Sequence, residues 1–160
     1  MSTPEPKKHI IFVCWGNICR SPMAERVAQK MADDRGLTEF VFSSAATSRD
    51  EIGHAIDPRA QRALRAKGYK TDGHRAHQIT ADEIGDAYLV VGMEQLHLDI
   101  MKRNFAPDTD NLVLITDYDA RAVRGSGIED PWWGGEDGFP VALRKIERGV
   151  SGLLDAEGQT

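Results

Sequence analysis

His9-Ile10-Ile11-Phe12-Val13-Cys14-Trp15-Gly16-Asn17-Ile18-Cys19-Arg20-Ser21-Pro22 carries the change of pattern on which the fold turns. Ile10 to Val13 is an unbroken apolar run of the kind that fills a strand buried on both faces. Pro22 suits the first turn of a helix. Between them a thiol, a glycine and an arginine crowd into one turn. A loop that curls back after a strand aims its backbone N–H groups inward, and the helix behind it adds the positive end of its dipole, so the stretch reads as an anion cradle. Arg20, six residues after Cys14, brings a planar fork that can grip two phosphate oxygens while the thiolate sits beneath the phosphorus. Ser21 is predicted as the helix N-cap, with its hydroxyl in reach of the sulfur. Trp15, Gly16, Asn17, Ile18, Cys19 and Ser21 then make up the phosphate-binding wall. Singly these residues have plainer uses, a buried cysteine as a small hydrophobe and a loop arginine in solvent. Together, between a strand and a helix, they point to a nucleophile in a phosphate site.

Outward from the loop, strands alternate with helical patterns. Met23, Val27 and Met31 share one helical face with Ala24 and Ala28 beside them, and Gly36 closes that helix. Phe40-Val41-Phe42 reads as a second strand. Asp57-Pro58 pairs an N-cap with proline at the first helical position, and Leu64 and Gly68 mark that helix's body and end. A third strand is predicted over 87–91, a helix over 94–102, a fourth strand over 112–115 and a long loop over 116–139. A last helix opens at Pro140, with Leu143, Ile146, Val150 and Leu153 at helical spacing. Such alternation implies parallel strands joined by crossovers, a doubly wound α/β sheet. Ligands of such sheets bind beyond the carboxyl ends of the strands, where the Cys14 loop falls.

The chain's 160 residues, 41% of them hydrophobic, suffice for one core and one domain. The expected division is a flexible N-terminal tail over 1–8, the domain over 9–155 and a C-terminal tail over 156–160. A formal charge of −5 without a long Lys/Arg run excludes nucleic acid and anionic membrane as the main partner. No apolar run approaches a membrane span, and residues 1–8 lack the apolar core of a signal peptide, so a cytoplasmic location is expected. Both cysteines lie in one loop, which excludes a stapling disulfide framework and predicts free thiols.

The loop resembles that of the low-molecular-weight protein tyrosine phosphatases, in their bacterial form. Cys14 to Ser21 matches the family's C-x-G-N-x-C-R-S, and Pro22-Met23-Ala24-Glu25 continues in kind. Ser44-Ala45 and Thr47 are similar to S-A-G-T, Asp57 and Arg59 to D-x-R, His74-Arg75-Ala76 and Gln78 to H-x-A-R-Q, and Asp130-Pro131 with Gly134 to D-P-Y-Y-G. The resemblance implies a four-stranded parallel sheet in the order 2-1-3-4. It also implies that Cys14 attacks phosphotyrosine, that Arg20 clamps the phosphate, and that Asp130 protonates the leaving phenolate and then activates water to hydrolyse a phosphocysteine. Asp-Pro alone is a common turn signal, and only this context makes Asp130 an acid. By the same resemblance Asn17 holds the loop's backbone, Ser44 and His74 support it, and Cys14 and Cys19 form a redox pair, the alternative being that Cys19 packs under the loop. No metal and no cofactor are implied, since Arg20 and the backbone supply the positive field. The expected partners are phosphotyrosine proteins, with inorganic phosphate as product, and a monomer is expected.

Departures from the pattern bear on the substrate. Asp50 stands where many members have an aromatic wall, and Trp132 and Trp133 replace the paired tyrosines. With Trp15 these indoles are expected at the pocket rim, offering faces to a substrate ring. Ala46, His77, Glu94 and His97 also depart from the family's usual residues. Three other readings stay open. A protein-arginine phosphatase is the nearest, although those relatives carry Thr where this chain has Ile18. An arsenate reductase of the thioredoxin-coupled kind needs thiols beyond Cys14 and Cys19. A non-catalytic phosphoprotein-binding module would keep the cradle without turnover.

Overall fold

A computed structural model describes residues 7–158. Of the expected N-terminal tail, residues 1–6 lie outside the described residues, while Lys8 already opens the first strand. Four strands, β1 (Lys8–Cys14), β2 (Phe40–Ala46), β3 (Leu89–Gly92) and β4 (Leu112–Leu114), form one sheet in the order β2-β1-β3-β4. All three pairings are parallel. Five helices flank them: α1 (Arg20–Asp34), α2 (Pro58–Ala66), α3 (Ala81–Asp86), α4 (Gln95–Asn104) and α5 (Gly138–Glu157).

The apolar run of β1 is explained by its central place. Ile10 and Phe12 belong to a core shared with Met23, Val27, Leu143 and Ile146 of α1 and α5. Ile11 and Val13 point the other way, into a second core with Ile84 of α3 and Met101 of α4. Alternate side chains of one strand thus feed two helical layers, and all four are fully buried. The order of connection reverses at β1, whose neighbours are β2 on one edge and β3 on the other, so the end of β1 is the switch point of the sheet.

Local signals set several boundaries as predicted. Asp57 accepts the Arg59 N–H at 2.8 Å at the start of α2, and Gly36 and Gly68 take φ values of +70° and +83° just beyond α1 and α2, a region open to glycine without penalty. Other elements differ from expectation. α3 was not anticipated, although Thr80 and Glu83 form a reciprocal capping box at its start. The long loop contains two 3-10 turns, Ile115–Tyr118 and Pro131–Trp133. α5 opens at Gly138, before Pro140, and runs to Glu157, past the tail boundary placed at 155. Ser21 is not the N-cap of α1: Cys19 holds that position, two residues earlier, while the expected contact of the Ser21 hydroxyl with the sulfur is present. Gly149 and Gly152 let α5 lie against the first 3-10 turn, where a β-carbon at Gly152 would sit 1.9 Å from the Tyr118 carbonyl oxygen.

Candidate active site

Cys14 ends β1, and its Sγ lies 3.0 Å from the Ser21 Oγ and 3.4 Å from the Ser21 N–H nitrogen. The Asn17 side-chain amide donates to the same Ser21 oxygen at 2.8 Å. That leaves the hydroxyl proton for the sulfur at 3.0 Å or the Ala45 carbonyl at 3.4 Å. The backbone N–H groups of Trp15 to Cys19 donate to no acceptor within the described residues. The loop therefore wraps Cys14 in free amide donors, the pattern of an anion nest.

Asn17 makes the loop's turn possible. It is fully buried and takes φ +61°, a left-handed conformation that asparagine tolerates better than most residues. Its Oδ1 accepts the His77 N–H at 3.2 Å, and its carbonyl accepts from His74 Nε2 at 2.6 Å. Burial holds the His74 imidazole below its usual proton affinity, so the ring is neutral and carries its proton on Nε2. His74 thus braces the loop. The Ser44 hydroxyl donates to Glu25 on α1 at 2.7 Å, a carboxylate whose charge acts on His74.

Arg20 is 2% exposed, a charge that burial would penalise heavily without partners. Its Nη1 donates to the Ile128 carbonyl at 2.8 Å and to the Glu94 carboxylate. At the opposite edge Nη2 lies 3.5 Å from Asp130 Oδ2. One end of the guanidinium is anchored, while Nη2 faces Asp130 and Nε alone has no partner among the described residues. Glu94 and Ile128 were missed in the sequence because they stand 74 and 108 residues from Arg20. Gly127, at φ +69°, permits the approach, since a β-carbon there would meet the Met93 carbonyl and the Glu94 backbone at 3.1 Å.

Asp130 enters from the long loop. Its side chain accepts the Trp132 N–H at 3.0 Å, which caps the turn Pro131–Trp133 and aims the second oxygen at Arg20. The Ile128 N–H bonds to the Met93 carbonyl at 2.8 Å, fixing this loop to the end of β3. Cys14, Arg20 and Asp130 thus converge on a pocket of about 190 Å³. Trp15, Ile18, Asp50, Trp132 and Trp133 also line it.

The rim has its own supports. Trp15 Nε1 donates to Asp50 Oδ2 at 2.9 Å, so the carboxylate at the missing aromatic wall holds an indole in place. Trp132 stacks under the Arg59 guanidinium, 4.9 Å from ring to carbon, and Arg59 is itself bound to Asp57. Trp133 is 84% exposed. Cys19 is buried, and burial together with Cys14 pushes its thiol well above the usual range, so it stays protonated; both cysteines are free thiols. Among the described residues no cluster of three His, Cys, Asp or Glu side chains is placed to hold a metal ion, and no helix is long and apolar enough to cross a membrane.

An amide nest around a buried thiol, an anchored arginine and a facing carboxylate define a phosphate-handling site at the switch point of a parallel sheet. Residues 9–159 match the model of the low molecular weight phosphotyrosine protein phosphatase family, and the chain belongs to that family. It is 38% identical over 152 residues to a low molecular weight protein-tyrosine-phosphatase of Streptomyces coelicolor, covering 92% of each chain. It is 36% identical over 149 residues to the low molecular weight protein-tyrosine phosphatase A of Mycobacterium tuberculosis, covering 92% of this chain and 90% of that one. Among solved structures, YfkJ of Bacillus subtilis superposes with a TM-score of 0.87 at 26% identity over 96% of both chains. The YwlE arginine phosphatase superposes at 0.82 with 27% identity, over 92% of this chain and 94% of the other.

Proposed function

We propose that this chain hydrolyses phosphotyrosine in proteins by way of a phosphocysteine. The carrying observation is the convergence of Cys14 Sγ, the free N–H groups of Trp15 to Cys19, the Nε and Nη2 edge of Arg20 and the Asp130 carboxylate that Nη2 faces on one pocket. The thiolate attacks phosphorus from below while the amides and Arg20 hold the equatorial oxygens, whose charge grows in the transition state. Asp130 gives its proton to the tyrosyl oxygen as the P–O bond breaks. Its carboxylate then takes a proton from water as that water displaces the cysteine, and inorganic phosphate leaves. Arg20 and the backbone supply the positive field, so the reaction is read without a metal or cofactor.

Ile18, buried in the pocket wall, favours an aromatic ring over the guanidinium that a phosphoarginine would place there. Trp15, Trp132 and Trp133 extend the apolar walls to the mouth. We read residues 8–157 as the phosphatase domain, acting as a cytoplasmic monomer in phosphotyrosine signalling. The deciding experiment compares, without metal, the turnover of a phosphotyrosine peptide, a phosphoarginine peptide and arsenate. Preference for phosphotyrosine is expected. In the same assay Cys14→Ser should abolish turnover yet bind inorganic phosphate, because the cradle survives the loss of the nucleophile; substantial residual turnover would remove Cys14 from its role.

A further inference from the structure

A second, larger cavity of about 740 Å³ lies beside the phosphate pocket. The two share Trp15, Arg20, Asp130 and Trp133, so they open together at the same mouth. The larger one runs between the start of α4, where Leu96 stands, and the first turns of α5, where Val141 and Ala142 stand, with Pro131 between them. Leu96 is 52% exposed and Val141 41% exposed. Large apolar side chains gathered in a concavity of this size, at the edge of a substrate pocket, are the usual makings of a binding subsite. Two of its acidic members, Glu94 and Asp130, face Arg20. Lys145 and Glu129 also line it, so two bases stand against three acids and the cavity carries a net charge of only −1 beside its apolar walls.

We propose that this cavity is the subsite for the polypeptide that flanks the phosphotyrosine, and that it selects an apolar side chain one or two positions away. The proposal rests on phosphotyrosine hydrolysis as read above. The occupant follows from continuity: a phosphotyrosine seated over Cys14 leaves its backbone at the shared mouth, between Trp15 and Trp133. An extended chain advances about 3.3–3.6 Å per residue, and the residues next to the phosphotyrosine leave that mouth along a cavity that Leu96 and Val141 line together with Trp15 and Trp133. A free small molecule would have no such tie to the phosphate pocket.

The test uses Cys14→Ser protein and phosphotyrosine peptides carrying Leu, Phe, Gly, Asp or Lys at each flanking position, with dissociation constants read by calorimetry. Peptides with Leu or Phe at the favoured position should bind about tenfold tighter than those with Gly, Asp or Lys, the effect of partly burying one such side chain. Leu96→Glu and Val141→Glu, both at exposed positions, should each weaken the apolar peptides about tenfold more than they weaken inorganic phosphate. Equal affinities across the peptides, or a ranking that both variants preserve, overturns the subsite. Turnover of an aryl phosphate by the wild-type protein reports separately on the phosphatase reading: turnover without peptide preference refutes the subsite alone. Peptide preference without turnover refutes the phosphatase reading and leaves the subsite standing.

Discussion

Acid should destabilise this fold through His97, a fully buried side chain at the start of α4. Its Nδ1 accepts the Glu94 N–H at 3.0 Å, so the ring is neutral with its proton on Nε2, which has no partner among the described residues. Protonation would set a second N–H against the Glu94 N–H and place a cation near Arg20. Burial first, and the Arg20 charge second, push its pKa down to about 3, against about 6.5 in an unfolded chain. Between those values the unfolded chain holds a proton that the folded one does not. The contribution is therefore fully present above about pH 6.5 and is lost as pH falls below it, at up to about 1.4 kcal/mol per pH unit. From about pH 7 to about pH 5.5 the loss comes to about 1.2 kcal/mol, or about 2–4 °C in Tm for a chain of this size. Urea unfolding at the two pH values checks this, with His97→Asn as the comparison. The asparagine variant should lose about 1 kcal/mol less than the wild type over the same interval, because His74, whose proton affinity is also lowered by burial, acts equally in both proteins. Equal losses in the two proteins would refute the reasoning.

Asp130→Asn should lose about 10²–10⁴-fold in kcat on phenolic esters with poor leaving groups and far less on activated esters; a uniform loss would mark Asp130 as structural. Arg20→Lys should be severely impaired in kcat/KM on an aryl phosphate, since an ammonium cannot hold the Ile128 carbonyl and Glu94 at one end while offering two donors at the other. Near-normal kinetics would contradict the clamp. Trp15→Ala and Trp132→Ala should each lower kcat/KM for a phosphotyrosine peptide by about tenfold while barely altering inhibition by inorganic phosphate, given about 0.5–1.5 kcal/mol per aromatic contact beyond area burial. If both keep wild-type preference for aryl substrates, the rim assignment fails. Gly152→Ala should cost about 1–3 kcal/mol in denaturant unfolding because α5 must withdraw from the Tyr118 carbonyl; wild-type stability would show that the contact relaxes freely.

The Cys14 loop was legible because its chemistry is local. Cys14, Asn17, Arg20 and Ser21 fall within eight residues, and the apolar run before them and the helix after them leave the loop one place in a parallel sheet. The Asp57-Pro58 start of α2 was legible for the same reason, since a cap and a fixed φ act within a turn. The Thr80–Glu83 box was equally local but was passed over, as it opens a helix too short to show an apolar period. Of the two roles read for Ser21, the contact with the sulfur is present at 3.0 Å and the N-cap falls instead to Cys19, because the helix starts before the serine. Everything that holds Arg20 came from elsewhere. Glu94 follows β3 and Ile128 lies in the long loop, and they meet the arginine only because β3 pairs directly with β1 and places its carboxyl end beside the Cys14 loop. The partnership of Asp50 with Trp15, the turn of Ser44 to Glu25 and the cavity between α4 and α5 likewise depend on strand order and register. A sequence records which groups a chain carries and what they do to their neighbours within a turn or two. Contacts between distant segments are set by how both faces of β1 are buried at once, which is a property of the assembled sheet.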